Sequence, residues 1–160
     1  MIKYSFLQTN ILMIFFLVNS IWPDLFRNLA YQTVFSVFVV IATLLLYFFS
    51  LGFQLTYKQL LLKGAQIGLI TGFFLGLFFY LYTTYIDKLY FEHLAEKMVS
   101  EYSSKGYDDF TIRKMIVYLG TTRKYHINEI STFISSIFKN ISIALIIAPF
   151  FTRKENVTIG

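Results

Sequence analysis

GAQIGLITGFFLG, residues 64–76, places Gly64, Gly68, Gly72 and Gly76 at a constant spacing of four inside an otherwise apolar run. In an α-helix a step of four residues turns about 400°, so the four positions form one slowly winding stripe that carries no side chains. In water each glycine weakens a helix by about 1 kcal/mol relative to alanine. In lipid a broken backbone hydrogen bond finds no substitute, so that weakness counts for little and the stripe serves as a groove for close approach of another helix. Gly64, Gly68, Gly72 and Gly76 are therefore read as a helix-packing site. Its occupant is another helix of the same bundle, a second copy of the chain, or a membrane-protein partner.

The sequence around this stripe is equally apolar. The chain has 160 residues, 56% hydrophobic, 20% aromatic and 14% charged, which exceeds what a soluble domain of this size needs for its core. No charge falls between Lys3 and Asp24, between Arg27 and Lys58, or between Lys63 and Asp87. A hydrocarbon core of about 30 Å takes roughly 20 helical residues, so each gap is long enough to cross it. A fourth apolar region, from Ile130 to Thr152, is interrupted once, by Lys139. The expected fold is all-α: a polytopic membrane protein forming a single membrane domain, with spans at about 5–22, 31–55, 64–86 and 130–151. An extramembrane helical hairpin at about 87–120 joins the third span to the fourth.

The first span starts near a lysine, and Val18 and Ser20 imitate the small residues of a signal-peptidase site. An uncleaved helix is expected instead, because the charge-free length reaches the interfacial Trp22 and Pro23 then stops the helix. Gln8, Thr9 and Asn10 make this the weakest of the four. The short connection TYKQLLLKG after the second span carries Lys58 and Lys63 and no acid, a cytoplasmic signature. Lys3, Arg153 and Lys154 lie on the same side in a four-span arrangement, which puts both termini in the cytoplasm. The seven basic residues between Asp87 and His126 count against this orientation, but most lie along helices that fold away from the membrane.

Between the third and fourth spans Ile86, Tyr90, Leu94 and Met98 recur every four residues, and Glu101 stands four before Lys105. Gly106 is expected to end this helix and Asp108 or Asp109 to cap a second one, with apolar Ile112, Met115, Ile116 and Leu119 and a stop at Gly120. The apolar face of this hairpin needs cover from the membrane surface, the bundle or a partner. Tyr80, Tyr82, Tyr85 and Tyr90 read as an aromatic belt at a headgroup boundary.

The fourth span contains a candidate polar intramembrane site. Thr132, Ser135, Ser136, Lys139 and Ser142 share one side of a helix, with Asn140 adjacent. A mid-helix lysine costs about 2.5–3.5 kcal/mol on the insertion scale, against roughly 4–7 kcal/mol from the twelve Ile, Leu and Phe residues of this span. Insertion is thus feasible, and three readings of Lys139 stand: snorkelling toward the amino-terminal end of its helix, lining a polar path or pocket, or marking a segment that lies on the surface.

Reactive constellations are missing from the sequence. No cysteine is present, no span contains Asp or Glu, and no phosphate loop, nucleophile elbow, zinc motif or dinucleotide fingerprint occurs. Glu92, His93 and Glu96 read as a charged helix surface. Neither catalysis, a metal nor a cofactor is expected. The net charge of +5 sits in residues flanking apolar spans, where it anchors headgroups and sets topology, so the lipid bilayer and not nucleic acid is the expected partner.

The order KGAQIGLITGFFLGLFFYLYT, then a charged helix ending SSKGYDDFTIRKM, then IALIIAPFFTRKEN resembles a family of short bacterial four-helix integral membrane proteins catalogued as a domain of unknown function. The resemblance covers about residues 58–155. It implies a multi-pass protein of the bacterial inner membrane with a soluble helical hairpin, and no activity, cofactor or catalytic residue. Lys139 departs from the more uniformly apolar last span expected there. Two function classes follow: a noncatalytic scaffold or accessory subunit, or a small oligomeric transport or lipid- and anion-binding protein using Lys139 and its hydroxyl stripe.

Overall fold

The structure is a computed structural model that describes residues 1–21 and 29–152. Among these residues every regular element is helical. There are six α-helices: α1 (Ile2–Ile21), α2 (Leu29–Leu51), α3 (Tyr57–Leu81), α4 (Tyr90–Ser104), α5 (Asp109–Lys124) and α6 (Ile127–Ile147). A π-helical turn, Tyr82–Ile86, extends α3, and a 3₁₀ turn, Ala148–Phe150, extends α6. Four helices are long and apolar enough to cross a membrane: α1, α2, α3 with its extension, and α6 with its extension. Trp22, Pro23, Arg153 and Lys154, to which the sequence reading assigned anchoring and stopping roles, lie outside the described residues.

Local chemistry accounts for the boundaries. α3 begins at Tyr57, seven residues before the expected start at Gly64, because Thr56 and Gln59 form a capping box. The Thr56 amide donates to Gln59 Oε1 at 2.9 Å, and the Gln59 amide donates to Thr56 Oγ1 at 3.4 Å. Lys58 and Lys63 consequently sit on the first turns of the helix and not in a connection. The turn from α2 to α3 is made by Gly52 and Phe53, both left-handed at φ 61° and 58°. At the end of α4, Gly106 (φ 79°) makes a Schellman cap. Its amide donates to Ser103 O and that of Tyr107 donates to Tyr102 O, while the Tyr102 and Tyr107 rings meet at 5.1 Å. Asp108 then caps α5 by accepting from the Thr111 amide at 3.0 Å.

Gly120 does not stop α5. The helix runs through it to Lys124, and the chain turns at His126, whose φ is 52°. An interior glycine costs about 1 kcal/mol, which is too little to end a helix whose flanking residues remain bonded.

The chain divides into two compact units, Gly76–Thr132 and the remainder, Met1–Leu75 with the segment from Phe133 onward. In the larger unit Val40, Leu44, Tyr47 and Phe48 form a helical stripe on α2. They share a core with Leu60 and Ile67 of α3, Ile143, Ala144 and Ile147 of α6, and the following Ala148 and Phe151. Phe151 packs against Phe48, Phe49 and Phe53 with ring centroids at 5.9, 4.9 and 5.6 Å.

Polar side chains are buried in this unit alongside its apolar core, while large apolar side chains cover its outside. Ser5, Gln8 and Thr9 of α1, Thr43 of α2, Thr71 of α3, and Ser136 and Asn140 of α6 are buried, while Phe38, Phe49, Phe73, Phe138, Ile146 and Phe150 are exposed. α1 shows the principle in miniature. The residues that weaken it as a span face inward, where Thr9 donates to Ser5 O at 2.8 Å and Thr71 donates to the same carbonyl at 3.5 Å. Its Ile2, Phe6, Leu7 and Ile14 face outward. In water the exposed apolar exterior would be costly; in lipid it is not, and packing and polar contacts between helices hold the bundle.

In the smaller unit α4 and α5 pair, and Phe91, Ile112, Leu119 and Thr122 are buried. Phe91, Ile112 and Leu119 are thus covered within this unit, whereas Phe110, Val117 and Tyr118 are exposed. Ile86 and Ile116 are exposed as well.

Candidate functional site

The glycine stripe lies against α6 of the same chain. A Cβ added at Gly64 would meet Ala144 Cβ at 2.7 Å; at Gly68 it would meet Ser136 O at 2.8 Å and Asn140 Cβ at 2.9 Å; at Gly72, Phe133 O at 2.7 Å and Ser136 Cβ at 3.1 Å. As α3 advances by four residues its partner on α6 retreats by about four, so the two helices run antiparallel in constant register. Within the smaller unit, Gly76 meets Glu129 O at 3.2 Å in the same way. The complement on α6 includes small residues of its own, Ser136 and Ala144, eight apart with Asn140 midway between them. In the sequence alone the polarity of Ser136 and Asn140 points instead to a polar site.

The six residues of the expected polar site do not converge. Ser136 and Asn140 are buried in the glycine seam, where Asn140 Nδ2 donates to Ser136 O at 2.9 Å and Asn140 Oδ1 is buried without a hydrogen-bond partner. Ser142 is exposed, Ser135 is half-buried, and Thr132 belongs to the smaller unit. Lys139 is half-buried and donates from Nζ to Ser36 Oγ of α2 at 3.2 Å; Ser36 in turn donates to Thr33 O at 2.9 Å. Ser36 stands seven residues beyond Leu29, about 10 Å along α2 by helical rise. An ammonium on a hydroxyl, with no carboxylate paired to it among the described residues, has donors to spare for an anion. Nothing in the sequence pattern pointed to Ser36, since two turns of α2 separate it from any charged residue.

In the smaller unit the tyrosines divide. Tyr85 is exposed and Tyr80 borders on it, whereas Tyr82 is buried and Tyr90 packs edge-on against both Tyr82 and Phe79. Burial pushes the Tyr90 phenol above its ordinary range, and Tyr82 and Asp87 add to the shift. Glu92 reaches Arg123 at 3.7 Å and His93 reaches Asp87 at 3.9 Å, so the acidic and imidazole groups of α4 are turned to separate partners.

Comparison of the chain with protein-family models, curated proteins and solved structures returns no match.

Proposed function

We propose that this chain is an integral multi-pass membrane protein of the bacterial inner membrane that acts without catalysis, as a scaffold or accessory subunit. It has four spans, an extramembrane hairpin formed by α4 and α5, and both termini in the cytoplasm. The observation that carries this reading is the apolar exterior of the larger unit, where Phe38, Phe73 and Phe138 are exposed while, among the described residues, seven polar side chains are buried beside the apolar core. The glycine seam supports it, because α3 and α6 close on each other by backbone contact, the mode of association that lipid requires.

The absence of cysteine provides the test. A single cysteine at Ser104, beside the Gly106 turn of the hairpin, should react with a membrane-impermeant maleimide in intact cells. Reaction only after permeabilisation inverts the orientation, and recovery of the protein in the soluble fraction removes the membrane reading.

The contact between Lys139 and Ser36 favours a second reading, a small oligomeric transport or lipid- and anion-binding protein. Lys139→Met separates the two. A scaffold should fold as well or better without the charge, whereas a binding site should lose its anion and keep its fold.

A further inference from the structure

We propose that the smaller unit carries a pocket for a phosphoethanolamine headgroup, with Lys88 and Arg123 holding the phosphate and Glu129 holding the primary ammonium. The cavity has a volume of about 260 Å³ and is lined from the π-helical turn (Thr83, Thr84), from Lys88, from Phe91 of α4 and from the α5–α6 junction (Arg123, His126, Glu129). That is below the roughly 300–1,000 Å³ typical of drug-sized sites and suits a small polar group.

The charges in this pocket are arranged for a zwitterion. Lys88 is exposed and has no acidic partner among the described residues. Arg123 lies over the Phe91 ring at 5.7 Å and touches Glu92 through one nitrogen at 3.7 Å, which leaves other donors of its planar fork unused. Glu129 Oε1 faces His126 Nδ1 at 3.3 Å, but Glu129 Oε2 is buried and accepts no hydrogen bond. A buried carboxylate oxygen without a donor is costly, and a ligand that brings one relieves that cost. A simple anion would meet Glu129, and a simple cation would meet Lys88 and Arg123. A group carrying a phosphate at one end and N–H donors at the other satisfies both. A quaternary trimethylammonium has no N–H to offer Oε2, so the carboxylate selects the primary amine.

The backbone around the pocket is unusual on two sides. A π-helical turn forms one wall, and His126 holds a left-handed conformation on the other; both kinds of departure gather at functional sites. Gly76 contributes by its missing side chain, which lets the Glu129 carbonyl approach α3 to the point where a Cβ would lie 3.2 Å away. The lipid source of the headgroup rests on the membrane reading above, while the pocket chemistry does not.

The test uses the full chain in detergent, offered equal phosphatidylethanolamine and phosphatidylcholine, with bound lipid read by native mass spectrometry. Glycerophosphoethanolamine, titrated by calorimetry, provides the soluble form of the same group. Wild type should retain the ethanolamine lipid about tenfold over choline, or about 1.4 kcal/mol. Glu129→Gln should bring that ratio to about one, and Lys88→Gln, at an exposed position, should weaken both lipids equally. Equal retention of the two lipids by wild type overturns the proposal, as does a ratio unmoved by Glu129→Gln in a protein that still folds. Binding of lipid alone assigns the headgroup to the bilayer, binding of the soluble ester as well assigns it to either source, and binding of neither overturns the proposal. Alkaline carbonate extraction reads the membrane assignment separately. Should the protein be released, the glycerophosphoethanolamine titration still decides the pocket.

Discussion

Gly68 on α3 and Asn140 on α6 pack so closely that a methyl group on the glycine would begin 2.9 Å from the asparagine Cβ and 2.8 Å from the Ser136 carbonyl oxygen. Neither the backbone carbonyl nor a Cβ can swing aside as the end of a long side chain would, so relief requires the helices to separate. The contact ties two features of the sequence, the bare stripe and the polar stripe, into one interface.

Alanine substitutions along the seam should therefore form a graded series. Gly64→Ala, Gly68→Ala and Gly72→Ala each place a Cβ at 2.7–2.8 Å from its nearest neighbour and should destabilise by about 1–3 kcal/mol. Gly76→Ala, with its nearest neighbour at 3.2 Å, should be milder. Gly120→Ala has nothing within 4 Å and should be neutral or stabilising by up to about 1 kcal/mol. Thermal unfolding in detergent measures the order, and a Gly68→Ala protein as stable as Gly120→Ala would contradict the seam.

Asn140→Leu removes a buried acceptor with no partner and keeps a branched side chain of similar size. It also removes the bond from Nδ2 to the Ser136 carbonyl, which already serves the helix of which both residues are part. The two changes oppose each other at about 1 kcal/mol apiece, so the melting temperature should stay within a few degrees of wild type or rise. A large fall would mean that Asn140 Oδ1 is occupied in the folded protein, and the resulting variant should then lose whatever donor fills it.

Phe151→Ala should cost about 3–5 kcal/mol, since the ring is buried and meets Phe48, Phe49 and Phe53. Phe53 holds a left-handed backbone that costs roughly 1–2 kcal/mol outside glycine, and its stacking on Phe151 at an interplanar angle of 13° offsets this. Phe53→Gly in the Phe151→Ala background should then recover part of the loss. Urea or thermal unfolding of Phe151→Ala, Phe53→Gly and the double variant checks it, and additivity without recovery would refute the coupling.

The hairpin should loosen in acid at the start of α5. Hydrogen bonds with Thr111, first through its side chain and then through its amide, hold the Asp108 carboxyl below the usual carboxylate range. A carboxyl whose folded pKa is lowered contributes its stability fully at neutral pH and loses it as pH falls below about 4 and through the lowered value. The protection of the Thr111 amide, its exchange rate relative to the intrinsic rate at each pH, should fall over that window in wild type and not in Asp108→Asn, which caps without a charge.

Much of the architecture was legible because charge exclusion from lipid operates on the chain in one dimension. Three gaps free of charge, and a fourth interrupted once by Lys139, mark four apolar helices whatever their packing. The Gly106 and Asp108 signals were equally local, since a left-handed residue and a cap are settled by a handful of neighbouring atoms. The helix α3 starts ahead of the expected span because the Thr56–Gln59 box orders the backbone there, while the charges of Lys58 and Lys63 bound the apolar segment and not the helix. Gly120 falls inside α5 because a glycine ends a helix only where the chain adopts the left-handed conformation, and here His126 does so.

By itself, then, the sequence determined that the chain is helical, that four segments are apolar enough to cross a membrane, and where capping residues could interrupt it, because propensity, charge and local hydrogen bonding act between near neighbours. The tertiary structure alone decided that α6 fills the glycine groove, that Ser136 and Asn140 turn into that seam while Lys139 reaches Ser36, and that Lys88, Arg123 and Glu129 border one cavity. Those relations join residues dozens of positions apart, and they depend on the rotation and register of whole helices, which shape complementarity between packed surfaces fixes and no single segment encodes.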